Sequence, residues 1–188
     1  MEDRLKESLK SYLFLGGVAG TIVLIDQVSK TLVRTYIPVN DYWPHEGWLV
    51  PFARLFHAQN TGVAFGMLQG MNLVFAVLAV IVSIAIIYYY PRVTKDDWTL
   101  RVALSMQLAG AVGNLIDRVV YGQVTDFISI GNFAVFNVAD SSITVGVAIL
   151  ILGVWLQERK KLKNEGVPVV DTIPADDETT TQSGEANQ

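Results

Sequence analysis

Asp126 and Asp140 stand on either side of the apolar run Phe127-Ile-Ser-Ile-Gly-Asn-Phe-Ala-Val-Phe. That run reads as two short extended pieces turning at Gly131-Asn132. A turn of this kind would bring the two carboxyl groups together. Two aspartates that share one proton titrate apart, so one serves as a base while the other serves as an acid near neutral pH. Such a pair can activate water and protonate a leaving amine without a covalent intermediate. Asp126 has the weakest purely structural explanation, lying in an apolar stretch between Val124 and Phe127 with no adjacent base. Asp140, followed by Ser141-Ser142, also reads as the N-cap of a helix.

Other polar residues collect around this pair. Asp26 and Lys30 are spaced i,i+4 and can form an ion pair on one helix face. Asn114, Asp117 and Arg118 fall at i, i+3 and i+4, presenting an amide and a guanidinium together, or else a clamp at a helix end. Asn60 opens an Asn-Thr-Gly turn, and Asn137 precedes Asp140. His57 reads as structural. Other chemistries find little support. The chain has no Cys and two His, which removes thiolate nucleophiles and Cys-ligated zinc, and no Ser-His pair has an orienting acid. Oxygen ligands for Mg²⁺ or Ca²⁺ exist among the aspartates, but Lys30 and Arg118 oppose a cation there. No metal and no cofactor is expected.

The elements that must position these groups are membrane spans. Of 188 residues, 51% are hydrophobic and 17% charged, with a mean hydropathy of +0.37. Soluble domains carry about 25% charged residues. The net charge of −4 is a property of one end: residues 164–188 hold six acids and no Lys or Arg, and without them the balance becomes +2. No basic face suggests nucleic acid as a partner. Apolar stretches at about 12–33, 72–90, 98–116 and 139–156 each approach the ~20 residues that cross a bilayer. Small residues in the third (Ala109, Gly110, Ala111, Gly113) point to close helix packing. The first span is too long for a cleavable signal segment and reads as a retained helix. Ten Lys and Arg flank one side of the spans and four the other, which puts both termini in the cytoplasm. All the polar groups above then fall at the extracytoplasmic ends of the helices. Ionisable residues at membrane depth are costly and mark functional sites.

Residues 34–71 contain Trp43, Trp48, Pro44, Gly47, Pro51 and Gly62 and read as a small platform at the headgroup boundary, with strands at Trp48-Leu-Val and Arg54-Leu-Phe-His. The chain therefore divides into a four-helix membrane domain, 1–163, and a disordered acidic cytoplasmic tail, 164–188.

Four motifs, in order, resemble those of the bacterial lipoprotein signal peptidases (signal peptidase II). They are Asp26-Gln-Val-Ser-Lys30, Asn60-Thr-Gly-Val-Ala-Phe-Gly66, Gly113-Asn-Leu-Ile-Asp-Arg118 with Gly122-Gln-Val-Thr-Asp-Phe127, and Phe136-Asn-Val-Ala-Asp140. The resemblance covers roughly residues 12–158 and leaves the tail out. A minor departure is Ala109-Gly110, where a glycine pair is common. The resemblance implies an α-helical integral membrane protein of the cell membrane with a small extracytoplasmic β-cradle and a flap. It also implies an aspartyl endopeptidase that cuts prolipoproteins before a diacylglyceryl-modified cysteine. Asp126 and Asp140 match the catalytic pair; Asn60, Asn114, Arg118 and Asn137 match polar residues around the substrate backbone, with Asp117 in the same motif; Asp26 and Lys30 match a supporting pair. The implied partners are lipidated prolipoproteins and membrane lipids, and a monomer has enough segments to form the site. Residue logic by itself also admits a small proton-coupled transporter or a non-catalytic membrane scaffold. A transport site would lie nearer the midplane.

Overall fold

The structure, a computed structural model, describes residues 2–62 and 68–164. Its elements run α1 (Glu2–Tyr36), β1 (Tyr42–Trp43), β2 (Ala53–Asn60), α2 (Asn72–Tyr89), a 3₁₀ turn (Tyr90–Arg92), α3 (Trp98–Tyr121), β3 (Val124–Ile130) and α4 (Val138–Asn164). All four α-helices are long and apolar enough to cross a membrane. They expose the side chains that water would drive inward, among them Leu13, Leu24, Ile25, Leu73, Ile81, Ile84 and Ile151. On α2 only Ser83 and Ile86 are buried. Apolar surface on that scale requires a lipid solvent.

Local chemistry sets the ends. Pro38 stops α1, since the residue before a proline is pushed out of the helical region. Asp97 caps α3 by accepting from the Leu100 N–H at 3.2 Å, and Gly122 ends it at φ +72°, where a side chain would be strained. The helices overrun the spans expected from hydropathy because charged turns continue them: Glu2–Lys6 pairs within α1, and Lys95 reaches Glu7 at 2.6 Å.

α3 is the central helix, packed on both α1 and α2, and its small residues decide how close α1 and α4 can come. A Cβ on Gly110 would collide with the Ala139 carbonyl oxygen at the start of α4. A Cβ on Gly113 would lie 2.7 Å from the Asp26 carboxylate and 3.2 Å from Ala139 Cβ. Leu15, Ala19, Ile86, Tyr90, Leu108 and Ala109 form the apolar core among α1, α2 and α3.

The three strands form an antiparallel sheet ordered β1-β2-β3. One of the two expected platform strands moves: Trp48-Leu-Val is a turn, and the pairing partner lies earlier, at Tyr42–Trp43. Gly47 at φ +133° and the Pro51 ring disfavour a ladder there. The second strand is present and longer than expected. β2 and β3 register Asn60 beside Val124 and Ala58 beside Asp126, with an irregularity between Leu55 and Ala58. The expected turn after Asp126 is present: β3 ends at Ile130, Gly131 takes φ +52°, and Phe136 returns to bridge Ile128. Val33, Ile37 and Phe127 pack the sheet onto the end of α1. His57 is structural, its buried Nδ1 donating to the Ile37 carbonyl at 2.7 Å.

The chain divides into two compact units, Met1–Val154 and Trp155–Gln188. The first holds α1 to α3, the sheet and the start of α4. In the second, the described residues are helical and Arg159 stacks 4.1 Å from the Trp155 ring centroid. Of the expected tail, 164–188, Asn164 is the last residue of α4 and 165–188 lie outside the described residues, as do 63–67 in the segment where a flap is expected.

Candidate active site

Both aspartates converge on Asn137. This residue, fully buried, is the N-cap of α4. Its Oδ1 accepts from the Asp140 N–H at 2.9 Å, while Asp140 Oδ2 accepts from the Asn137 N–H at 3.3 Å. That reciprocal pair is a capping box, and it corrects the reading of Asp140 as the cap: Asp140 is the third helical residue, held facing back over the helix end. The Asn137 side chain also donates to Asp126 Oδ1 at 2.7 Å. One asparagine therefore ties the strand carboxylate to the helix carboxylate.

Each aspartate has a second amide partner from a different element. Asn60, at the end of β2, donates to Asp126 Oδ2 at 2.9 Å. Asn114, on α3, donates to Asp140 Oδ1 at 2.7 Å. The Asn114 Oδ1 in turn accepts from Lys30 Nζ at 3.0 Å and from Asn137 at 3.2 Å. Asp26, Lys30 and Asp117 lie beneath, all 0% exposed, with Lys30 Nζ 2.8 Å from Asp26 and 3.3 Å from Asp117. All nine residues singled out in the sequence thus fall around one end of the helices, and eight of them belong to one hydrogen-bonded network.

Arg118 is the ninth and stands apart. Its guanidinium lies 5.5 Å from the Phe75 ring centroid, and its Nε is buried without a hydrogen-bond partner among the described residues. Together with Asn114 and Gln107 it forms the polar part of a cavity of about 250 Å³. The rest is apolar, with Phe75, Leu78 and Val82 of α2, Ala111 of α3 and Ile143 of α4 among its walls. A buried guanidinium N–H without a partner is costly, and this one lies in the lining of that largely apolar cavity.

The electrostatics favour the protonated form of Asp126. Burial pushes the Asp126 carboxyl up to about 7, and the charge of Asp140 pushes in the same direction; the Asn60 and Asn137 hydrogen bonds and the Lys30 charge oppose this without cancelling it.

Sequence reasoning passed over three participants. Gln27 lies within 3.2 Å of Asp26, the Gly113 carbonyl and Asp117. Arg34 lies 3.5 Å from Asp117 and donates to Thr125 Oγ1 at 3.1 Å. Thr125 N–H donates to Asp117 at 3.0 Å. An amide inside an apolar span and a guanidinium just past its end were the available signals for the first two; a backbone donor leaves none.

The model of the family described as signal peptidase (SPase) II matches residues 18–156, a stretch that includes every residue of this network. The chain belongs to the signal peptidase II family. It is a peptidase of multi-pass membrane architecture. Among its relatives, the lipoprotein signal peptidase of Halalkalibacterium halodurans is 40% identical over 152 residues, covering 79% of this chain and 96% of that one. The lipoprotein signal peptidase of Staphylococcus aureus (strain MRSA252) is 34% identical over 155 residues, covering 79% and 91%. Two solved bacterial membrane enzyme structures share the fold. One has a TM-score of 0.71 at 33% identity, covering 81% of this chain and 91% of the other. The second has a TM-score of 0.65 at 34% identity, covering 77% and 92%.

Proposed function

We propose that this signal peptidase II family member is an aspartyl endopeptidase. In this reading it removes signal peptides from prolipoproteins by cutting before a diacylglyceryl-modified cysteine. The observation that carries the reading is the meeting of Asp126 and Asp140 at Asn137, in surroundings that hold a proton on the pair. The deprotonated carboxylate takes a proton from water, and the resulting hydroxide attacks the carbonyl carbon preceding the lipidated cysteine. The protonated aspartic acid donates to the carbonyl oxygen. Collapse of the tetrahedral species breaks the C–N bond: a proton from the pair goes to the leaving amine, and a hydroxyl proton of the tetrahedral species returns to the pair. The products are a signal peptide ending in a carboxylate and a lipidated cysteine with a free amine. Asn60 and Asn114 each have one amide hydrogen committed to an aspartate, so Arg118 is the donor best placed for a substrate carbonyl. The apolar cavity beside Arg118 suits an acyl chain, which would supply proximity by anchoring the scissile bond.

In this reading both termini face the cytoplasm and the site opens near the extracytoplasmic surface, where a lipid-anchored peptide presents its scissile bond. A monomer suffices. Cleavage of a purified prolipoprotein with and without its diacylglyceryl group tests the substrate class: the lipidated form is cut and the unmodified form is not. Equal cleavage of both would remove the lipid from the recognition.

The shared proton sets the pH dependence. The group at about 7 is Asp126, raised mainly by burial, so the pair carries its proton below that value and loses it above. The rate constant kcat therefore falls as pH rises through about 7, and with two carboxylates the pair reports values belonging to the pair as a whole. A kcat profile that stays flat from about pH 6 to about 9 would contradict the acid role.

A further inference from the structure

The network under the two aspartates has a symmetry that their own hydrogen bonds do not reveal. Thr125, immediately before Asp126, donates its backbone N–H to Asp117 Oδ2 at 3.0 Å. Ala139, immediately before Asp140, donates its backbone N–H to Asp26 Oδ1 at 2.9 Å. The two accepting carboxylates sit on different helices, α3 and α1, and Lys30 Nζ lies between them at 3.3 Å and 2.8 Å. Each reacting aspartate is thus one residue away from a backbone hydrogen bond to a buried carboxylate, and one ammonium joins the two carboxylates. We propose that Asp26, Lys30 and Asp117 act as a buried spacer that sets the separation of Asp126 and Asp140 through the backbone N–H groups of Thr125 and Ala139. This rests on the aspartyl reading above.

Several features suit the assembly to that role. Asp26, Lys30 and Asp117 are all 0% exposed, so water cannot substitute for a lost partner. Ala139 N–H is one of the orphan donors at the start of α4, and an anion there is favoured by the helix dipole. Asp26 reaches it because Gly113 has no side chain: a Cβ would lie 2.7 Å from Asp26 Oδ2. Gln27 Nε2 lies 3.1 Å from Asp26 and 3.2 Å from Asp117, a second link across the same gap. Arg34 bonds Thr125 Oγ1 and lies 3.5 Å from Asp117, keeping the start of β3 against α1. In this arrangement Lys30, Asp26, Asp117 and Gln27 are positioning residues: they act on the reacting groups through the backbone, and Lys30 also acts through Asn114, which donates to Asp140.

The test measures kcat, KM and thermal stability for Lys30→Met, Asp117→Ala, Asp117→Asn and Gln27→Leu, with kcat referred to folded enzyme. Asp126→Asn and Asp140→Asn run alongside. A shift of about 1 Å at a reacting group can cost about a hundredfold. The spacer therefore predicts a kcat loss of about tenfold in Lys30→Met and Asp117→Ala, with KM changed by less than about threefold. Asp117→Asn keeps an acceptor for Thr125 N–H and recovers part of that loss. Lower stability with wild-type kcat per folded molecule overturns the proposal, because a merely structural role would produce that result. If Lys30→Met and Asp117→Ala do not fold, Gln27→Leu carries the test: it leaves both ion pairs intact, and a kcat equal to wild type overturns the spacer. The two readings fail separately. Activity retained by Asp126→Asn and Asp140→Asn removes the catalytic pair, and with it the spacer's object. Loss in those two with wild-type kcat in all the others removes the spacer alone.

Discussion

Asp126→Asn and Asp140→Asn are each expected to lower the cleavage rate by about 10³-fold or more, with the protein still folded. General acid–base groups contribute about 10²–10⁴-fold each, and in the proposed mechanism one pair performs both tasks. The substitution keeps side-chain size, so packing against Asn60, Asn114 and Asn137 is retained, but it replaces an acceptor with a donor on one side. In Asp126→Asn, one of the two donors now 2.9 and 2.7 Å from the carboxylate would face an NH₂ group. The amide can neither take a proton from water nor return one to the leaving amine. Cleavage of a lipidated prolipoprotein by the detergent-solubilised variants measures the effect, and thermal melting confirms the fold. Near-wild-type rates in both variants would eliminate the acid–base pair while leaving family membership untouched.

Asn137→Ser and Asn137→Ala should separate two functions of one side chain. Asn137 caps α4 and donates to Asp126. Serine is as good an N-cap as asparagine, whereas alanine costs about 1 kcal/mol at that position. Neither substitute can bond Asp126 as the amide does, and a hydrogen bond to a charged group contributes about 1.5–3 kcal/mol. Both variants should therefore lose about 10–100-fold in cleavage rate, and Asn137→Ala should lose about 1 kcal/mol more stability than Asn137→Ser. A wild-type rate in Asn137→Ser with a loss in Asn137→Ala would mean that the cap, not the bond to Asp126, carries the effect.

Much of this arrangement is legible along the chain. Four apolar runs demand four membrane-capable helices, because so much exposed Leu, Ile and Val has no place in water. Their ends are written in local residues: Pro38, Asp97 and Gly122 act within a few positions of themselves. Asp126 and Asp140 stand out because a carboxylate in an apolar stretch must have a partner or a task. Their order with Asn60, Asn114, Arg118 and Asn137 is a property of the chain, and family membership follows from it.

Other features exist only once the helices are packed. Asp140 reads locally as a cap, since Asp before two serines is what helix starts contain; it is Asn137, fully buried and reaching into the sheet, that takes the position. Trp48-Leu-Val has strand residues but the wrong neighbours, and Tyr42–Trp43 pairs with β2 in its place. Gly113 is legible as a small residue for close packing, but not as the opening through which Asp26 meets Ala139 N–H. The distinction is physical. Hydropathy and capping are short-range and survive in the residue order, whereas a backbone N–H has no residue type to announce it. The sequence by itself determined the membrane fold and the identity of the polar residues. Tertiary structure alone decided which side chains meet at Asn137 and which carboxylates accept backbone N–H groups from distant elements.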